Sequence, residues 1–117
     1  MSDEATLNEA LDRKDIEDVH IHLQTISFTL PELSTRIYIR FYRTPSSILV
    51  RYEQSHFIKT PVQLDAYHPS RMHGADLGDA VGQAITAFTS YAKAAVEKGH
   101  EPDESWLVPN SRFVPSS

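Results

Sequence analysis

The 117-residue chain contains no cysteine, which excludes a disulfide framework, a thiolate metal site and a cysteine nucleophile. That absence fits a reducing compartment. No apolar run approaches the roughly 20 residues needed to span a bilayer, and the opening MSDEATLNEALDRKD is acidic where a secretory signal would be basic and then apolar. A cytoplasmic chain with no membrane segment is the expectation. Nucleophile elbow, P-loop, dinucleotide fingerprint and HExxH motif are all missing. With only four glycines, no glycine-rich phosphate loop is available, so neither an enzyme nor a cofactor is expected.

The length allows one domain with one core and rules out a barrel or a doubly wound enzyme. At 40% hydrophobic and 23% charged residues, the chain has the composition of a globular protein. Its net charge of −5 is unevenly laid out. Residues 1–18 carry seven acids and two bases, residues 19–60 two acids and five bases, and residues 61–117 seven acids and four bases. The middle segment is therefore basic and its flanks acidic. This layout argues against general affinity for nucleic acid, which depends on neutralising phosphates, and leaves room for an acidic protein partner.

That basic middle contains the most informative stretch, TRIYIRFYRTPSSILVRYEQ at 35–54, which reads as a β-hairpin. Pro45 sits in a tight reversal, Thr44 to Ser47, and cannot occupy a central strand. With Thr44 paired to Ser47, Phe41 faces Val50 and Ile39 faces Tyr52. Side chains alternate with a period of two along a strand, so Ile37, Ile39 and Phe41 form an apolar face. Arg36, Tyr38, Arg40 and Tyr42 form the opposite one, met by Leu49, Arg51 and Glu53.

Around the hairpin, residues 17–30 read as a first strand whose apolar phase flips near Gln24 and Thr25, where a bulge would restore one face. SHFIKTPVQLDAY (55–67) offers an edge strand or short pieces, interrupted by Pro61. His68 to Ala75 reads as a loop. Residues 76–98 give the clearest signal: Leu77, Val81, Ala84, Ile85, Phe88, Tyr91, Ala92, Ala95 and Val96 recur at helical spacing. Asp76 suits the N-cap, and Gly99 suits the position after the helix. Gly78 and Gly82 weaken the first turns, and a close approach by another element would account for them.

The fold class that follows is α+β, an antiparallel sheet of three to four strands with one long helix packed across one face. Residues 1–18 form an acidic arm or short helix, with Leu7, Ala10 and Leu11 after a Thr6 cap. Residues 19–108 form the domain, and residues 109–117 a flexible tail. Trp106 is too apolar for a free tail, so it packs on the domain or on a partner.

Asp18-Val19-His20-Ile21-His22 resembles the Asp-x-His-x-His element of metal-dependent amidohydrolases, which implies a metal held by His20 and His22. That family is a barrel of about 250 residues, longer than this chain. The plain reading of the two histidines is the watery side of an amphipathic strand. A metal or small-molecule site, joined by His56, His68 or His73, is the alternative; Asp65, His68 and His73 could likewise converge from their loop. The helix, with Leu77, Ala80, Val81, Ala84, Ala87, Phe88, Tyr91, Ala94 and Gly99 in register, resembles the one after the sheet in HicB-type antitoxins. That resemblance implies a small α+β protein that neutralises a partner ribonuclease and oligomerises.

Tyrosine and arginine are enriched at interface hot spots. The functional expectation is accordingly a non-enzymatic interaction or regulatory module that docks a protein partner on Arg36, Tyr38, Arg40, Tyr42, Arg51 and Trp106, with homodimerisation through the same face. A solvated sheet face is the plain alternative. Bases of a single strand stacked on Tyr38 and Tyr42 would be the nucleic-acid one.

Overall fold

Alternation along the hairpin decides the architecture, because only one of its faces is apolar enough to carry a helix. The computed structural model describes residues 3–114. Four strands, β1 (Ile21–Phe28), β2 (Ile37–Arg43), β3 (Val50–Gln54) and β5 (His73–Gly74), pair antiparallel in the order β1-β2-β3-β5. A separate ribbon joins β4 (His56–Ile58) to β6 (Leu107–Pro109). Helix α1 is Asp3–Leu11 and helix α2 is Leu77–Glu97. Among the described residues, no helix is long and apolar enough to cross a membrane.

Ile37, Ile39 and Phe41 of β2 and Val50 and Tyr52 of β3 lie buried beneath Ala80, Ala84 and Phe88 of α2. Phe28 of β1 meets Phe88 edge to face at 5.9 Å, an arrangement that aromatic quadrupoles favour. Small alanines let the helix lie close to the strands, and Phe88 fills the space between them.

Two expectations about register are refined. The turn forms where proline puts it, with the Ser47 amide donating to the Thr44 carbonyl at 3.2 Å and Ser46 in the left-handed region. The ladder resumes later than expected: Phe41 pairs with Tyr52 and Ile39 with Gln54, two residues beyond the tight register. Ile48 is left outside at 85% exposed. Because the offset is two and the side-chain period is two, both faces keep their members. In β1 the irregularity falls between His22 and Gln24, just before the expected position. It returns Ile26 and Phe28, opposite Ile39 and Ile37, to the core side with Ile21.

The loop expected over 68–75 contains a strand. His73 and Gly74 pair with Arg51 and Val50, a bridge too short to leave a periodicity in sequence. Gly74 also makes the close approach that Gly78 and Gly82 were expected to make. A Cβ at Gly74 would stand 2.6 Å from the Ala80 amide nitrogen, whereas one at Gly82 would meet nothing within 4 Å. Gly82→Ala should therefore stabilise the fold by about 1 kcal/mol through helix propensity alone. Denaturant unfolding checks this, and a loss of stability would contradict the open surroundings of Gly82.

The ends of α2 are closed as their residues suggest. Asp76 accepts from the Asp79 amide at 2.8 Å, and Asp79 reaches back to the Ala75 amide at 2.8 Å. Gly99, at φ +89, lets its own amide donate to Val96 and that of His100 donate to Ala95, the paired bonds of a Schellman ending. At the other end of the chain, α1 begins before Thr6, which lies inside it and does not cap it. Asn8 accepts from the Ser46 amide at 3.3 Å, bringing α1 to the hairpin turn.

Glu104 ties the last part of the chain to the connection between β1 and β2. Its carboxylate accepts from the Ser34 amide at 3.0 Å and the Thr35 amide at 2.8 Å, and from the Thr35 hydroxyl. These bonds, the Thr35 hydroxyl first, hold its pKa below the usual 4.5. A depressed carboxyl adds stability that is complete above its unfolded pKa and disappears as pH falls through the folded one. Glu104→Gln should thus flatten the acid-side fall in stability, seen by denaturant unfolding across a pH series. Parallel curves for the two proteins would show that the carboxylate is not coupled to folding.

Candidate interaction face

The sheet face turned away from α2 is built by the alternate residues of β2 and β3. Arg40 stands opposite Glu53 and Tyr42 opposite Arg51. Arg40 Nε donates to Glu53 Oε1 at 2.9 Å within a half-buried ion pair. Its Nη1 donates to the Val114 carbonyl at 2.8 Å, and its guanidinium lies 4.5 Å from the centre of the Phe113 ring. Tyr42 stacks on His20 at 3.9 Å with the rings 16° apart. Burial first, and the Glu53 charge next, push the Tyr42 hydroxyl above its ordinary value.

Toward the other end of β2 the face opens. Arg36 Nη1 donates to Ser27 Oγ at 3.0 Å, which tethers the guanidinium to β1. The Tyr38 backbone exchanges bonds with Ser55, whose hydroxyl accepts from the Tyr38 amide at 2.8 Å and whose amide donates to the Tyr38 carbonyl at 2.9 Å. That anchors the strand and leaves Tyr38 44% exposed. Arg51, next to Tyr42 and His73, has a buried Nε with no hydrogen-bond partner among the described residues.

The six residues assigned to docking thus divide. Arg36 and Tyr38 are accessible, Arg40 and Tyr42 are engaged by the chain itself, and Arg51 is half-buried between Tyr42 and His73. Trp106 does not belong to the face. At 3% exposed it is part of the interior, at the end of a short 3-10 turn, Glu104–Trp106. The segment expected to be loose from residue 109 returns to the sheet: the Asn110 amide donates to the Ser55 carbonyl and its side chain to the Gln54 carbonyl, each at 2.8 Å. Phe113 and Val114 reach Arg40 in consequence, and residues 115–117 lie outside the described residues. Nothing in Asn110-Ser-Arg-Phe113 signals this contact in advance; it depends on β6 pairing with β4.

The histidines do not gather. His20 Nε2 lies 3.0 Å from Asp18 Oδ1, and His22 Nε2 lies 2.9 Å from Thr25 Oγ1. His68 packs on Phe57 and His73 joins β5, while His56 is bonded to the Ser55 hydroxyl and its burial pushes its pKa down. Among the described residues, no three metal-binding side chains converge; the strand motif makes an aromatic stack and two local hydrogen bonds.

Two hollows lie on the helix side. A cleft of about 760 Å³ runs between α2 and residues 67–71, walled by Tyr52, Tyr67, Arg71, Gln83 and Tyr91, with Gly82 opening it. A more apolar groove of about 500 Å³ is lined by Leu30, Leu33, Ala92, Val96 and Trp106. Sequence periodicity could not reveal either, since the cleft depends on where the 67–71 loop lies.

No family model, curated protein or solved structure matches the chain.

Proposed function

We propose that this protein is a non-enzymatic interaction module that binds an acidic patch on a protein partner through the sheet face opposite α2. The observation that supports this reading is the accessible pair Arg36 and Tyr38 at the start of β2. Arg36 is oriented by Ser27 and Tyr38 is anchored by Ser55 and left accessible. Such a pair loses little side-chain freedom on docking, and arginine and tyrosine carry large shares of binding energy at protein interfaces. Acidic flanking segments favour a local contact on the basic middle of the chain over a broad electrostatic one.

The test compares the full chain with Arg36→Ala/Tyr38→Ala as baits in nuclease-treated extract of the native host. A protein held by the first should be lost by the second, with retention weakening on addition of salt. Both side chains are outside the core, so circular dichroism should show an unchanged fold. Equal retention by a folded double variant would remove the reading, and so would capture that vanishes with nuclease.

A further inference from the structure

The two edges of the main sheet differ. On one side β5 is only two residues long and Gly74 lies against Ala80 at the start of α2, so that edge is closed. The opposite edge is β1, eight residues, IHLQTISF, with no Asp, Glu, Lys, Arg or Pro. Among the described residues β1 pairs with β2 alone, and no further backbone hydrogen bond reaches it. An edge of this length without charge or proline is a template for another strand.

The identity of that strand can be read from β1 itself. Beyond the irregularity at His22 to Gln24, the run Gln24 to Phe28 is regular. Gln24, Ile26 and Phe28 pair with core-side residues of β2, whereas Thr25 and Ser27 pair with Arg40 and Tyr38 of the polar face. Turned antiparallel on itself about Ile26, this run sets Ile26 against Ile26, Thr25 against Ser27 and Gln24 against Phe28. Every pair joins residues of the same face, including a β-branched pair and a hydroxyl pair of the kinds that stabilise adjoining strands. No like charges meet. Ile26 and Phe28 pack against the core but are left only partly buried, and a strand laid beside β1 would cover their open sides.

We propose that β1 pairs with β1 of a second copy of this chain, antiparallel about a two-fold axis through Ile26, joining two four-stranded sheets into one continuous sheet. Closed two-fold symmetry consumes the open edge of both copies. This seam is distinct from the polar face, and the proposal does not rest on partner binding there.

Sedimentation equilibrium of the full chain should report a dimer of the 13.2 kDa protomer. Thr25→Lys/Ser27→Lys, at two exposed positions, places lysine opposite lysine twice and should weaken the dimer about tenfold. Thr25→Lys/Ser27→Glu places lysine opposite glutamate and should restore it. Hydrogen exchange on the unmodified chain gives a readout independent of variant folding: protection at amides 24–28 should rise with protein concentration. A chain that stays monomeric, a double-lysine variant as dimeric as the original, a lysine/glutamate variant as weak as the double-lysine one, or concentration-independent exchange at 24–28 would each overturn the proposal. So would dimerisation lost on Arg36→Ala/Tyr38→Ala and kept by the double-lysine variant.

Discussion

Gly74→Val should cost the fold about 3 kcal/mol or more, one of the largest effects any single substitution in this chain can have. The added Cβ would stand 2.6 Å from the Ala80 nitrogen, 2.9 Å from its Cα and 2.8 Å from Asp79 Oδ2. The carboxylate can swing aside. The backbone cannot, because Ala80 is itself packed without exposure on the sheet and its amide donates to the Asp76 carbonyl. Relief requires either lifting the first turn of α2 or breaking the pairing of β5 with β3. Since a domain of this size is stable by only about 5–15 kcal/mol, a shift this large should be plain in urea unfolding. A Gly74→Val protein as stable as the original would mean that α2 does not approach β5 as described.

Phe88→Ala should be at least as damaging, about 3–5 kcal/mol. Phe88 has no solvent exposure, and Phe28 presses on it edge to face. The other fully buried residues of α2 are Ala80, Ala84 and Ala95, too small to fill the space left behind. The cavity would therefore persist, and the cost of a truncation grows with the volume that neighbours cannot refill. Phe88→Leu should recover much of the loss. If Phe88→Ala unfolded at the same urea concentration as the parent, the helix would not be seated on the sheet through this residue.

The long helix was legible because periodicity over more than twenty residues and a cap at each end all indicate the same thing. The two faces of the hairpin were equally legible, and the phase flip in β1 revealed its irregularity. Contacts between segments distant in sequence left no such trace. β5 has two residues and no periodicity, the pairing of β4 with β6 joins positions about fifty apart, and Glu104 binds backbone amides at Ser34 and Thr35. For the candidate face, sequence alternation named the right side of the sheet. It could not show that Phe113 and Val114 would lie on Arg40, or that His20 would stack on Tyr42. Those contacts shift the accessible part of the face toward Arg36 and Tyr38. Trp106 packs on the domain, one of its two expected places, because an apolar residue near the end of the chain suits an interior as well as a partner, and burial is set by what surrounds it.

The link between β2 and β3 carries two residues more than the tightest turn would need, and this even count protects the molecule's sidedness. Shortening it by a pair would leave the isoleucines under the helix and the arginines in water. Dropping a single residue would force β3 to exchange its inner and outer side chains or to kink. Loop-length variation at this site is therefore quantised: steps of two are conservative, and odd steps put the core and the charged surface in conflict.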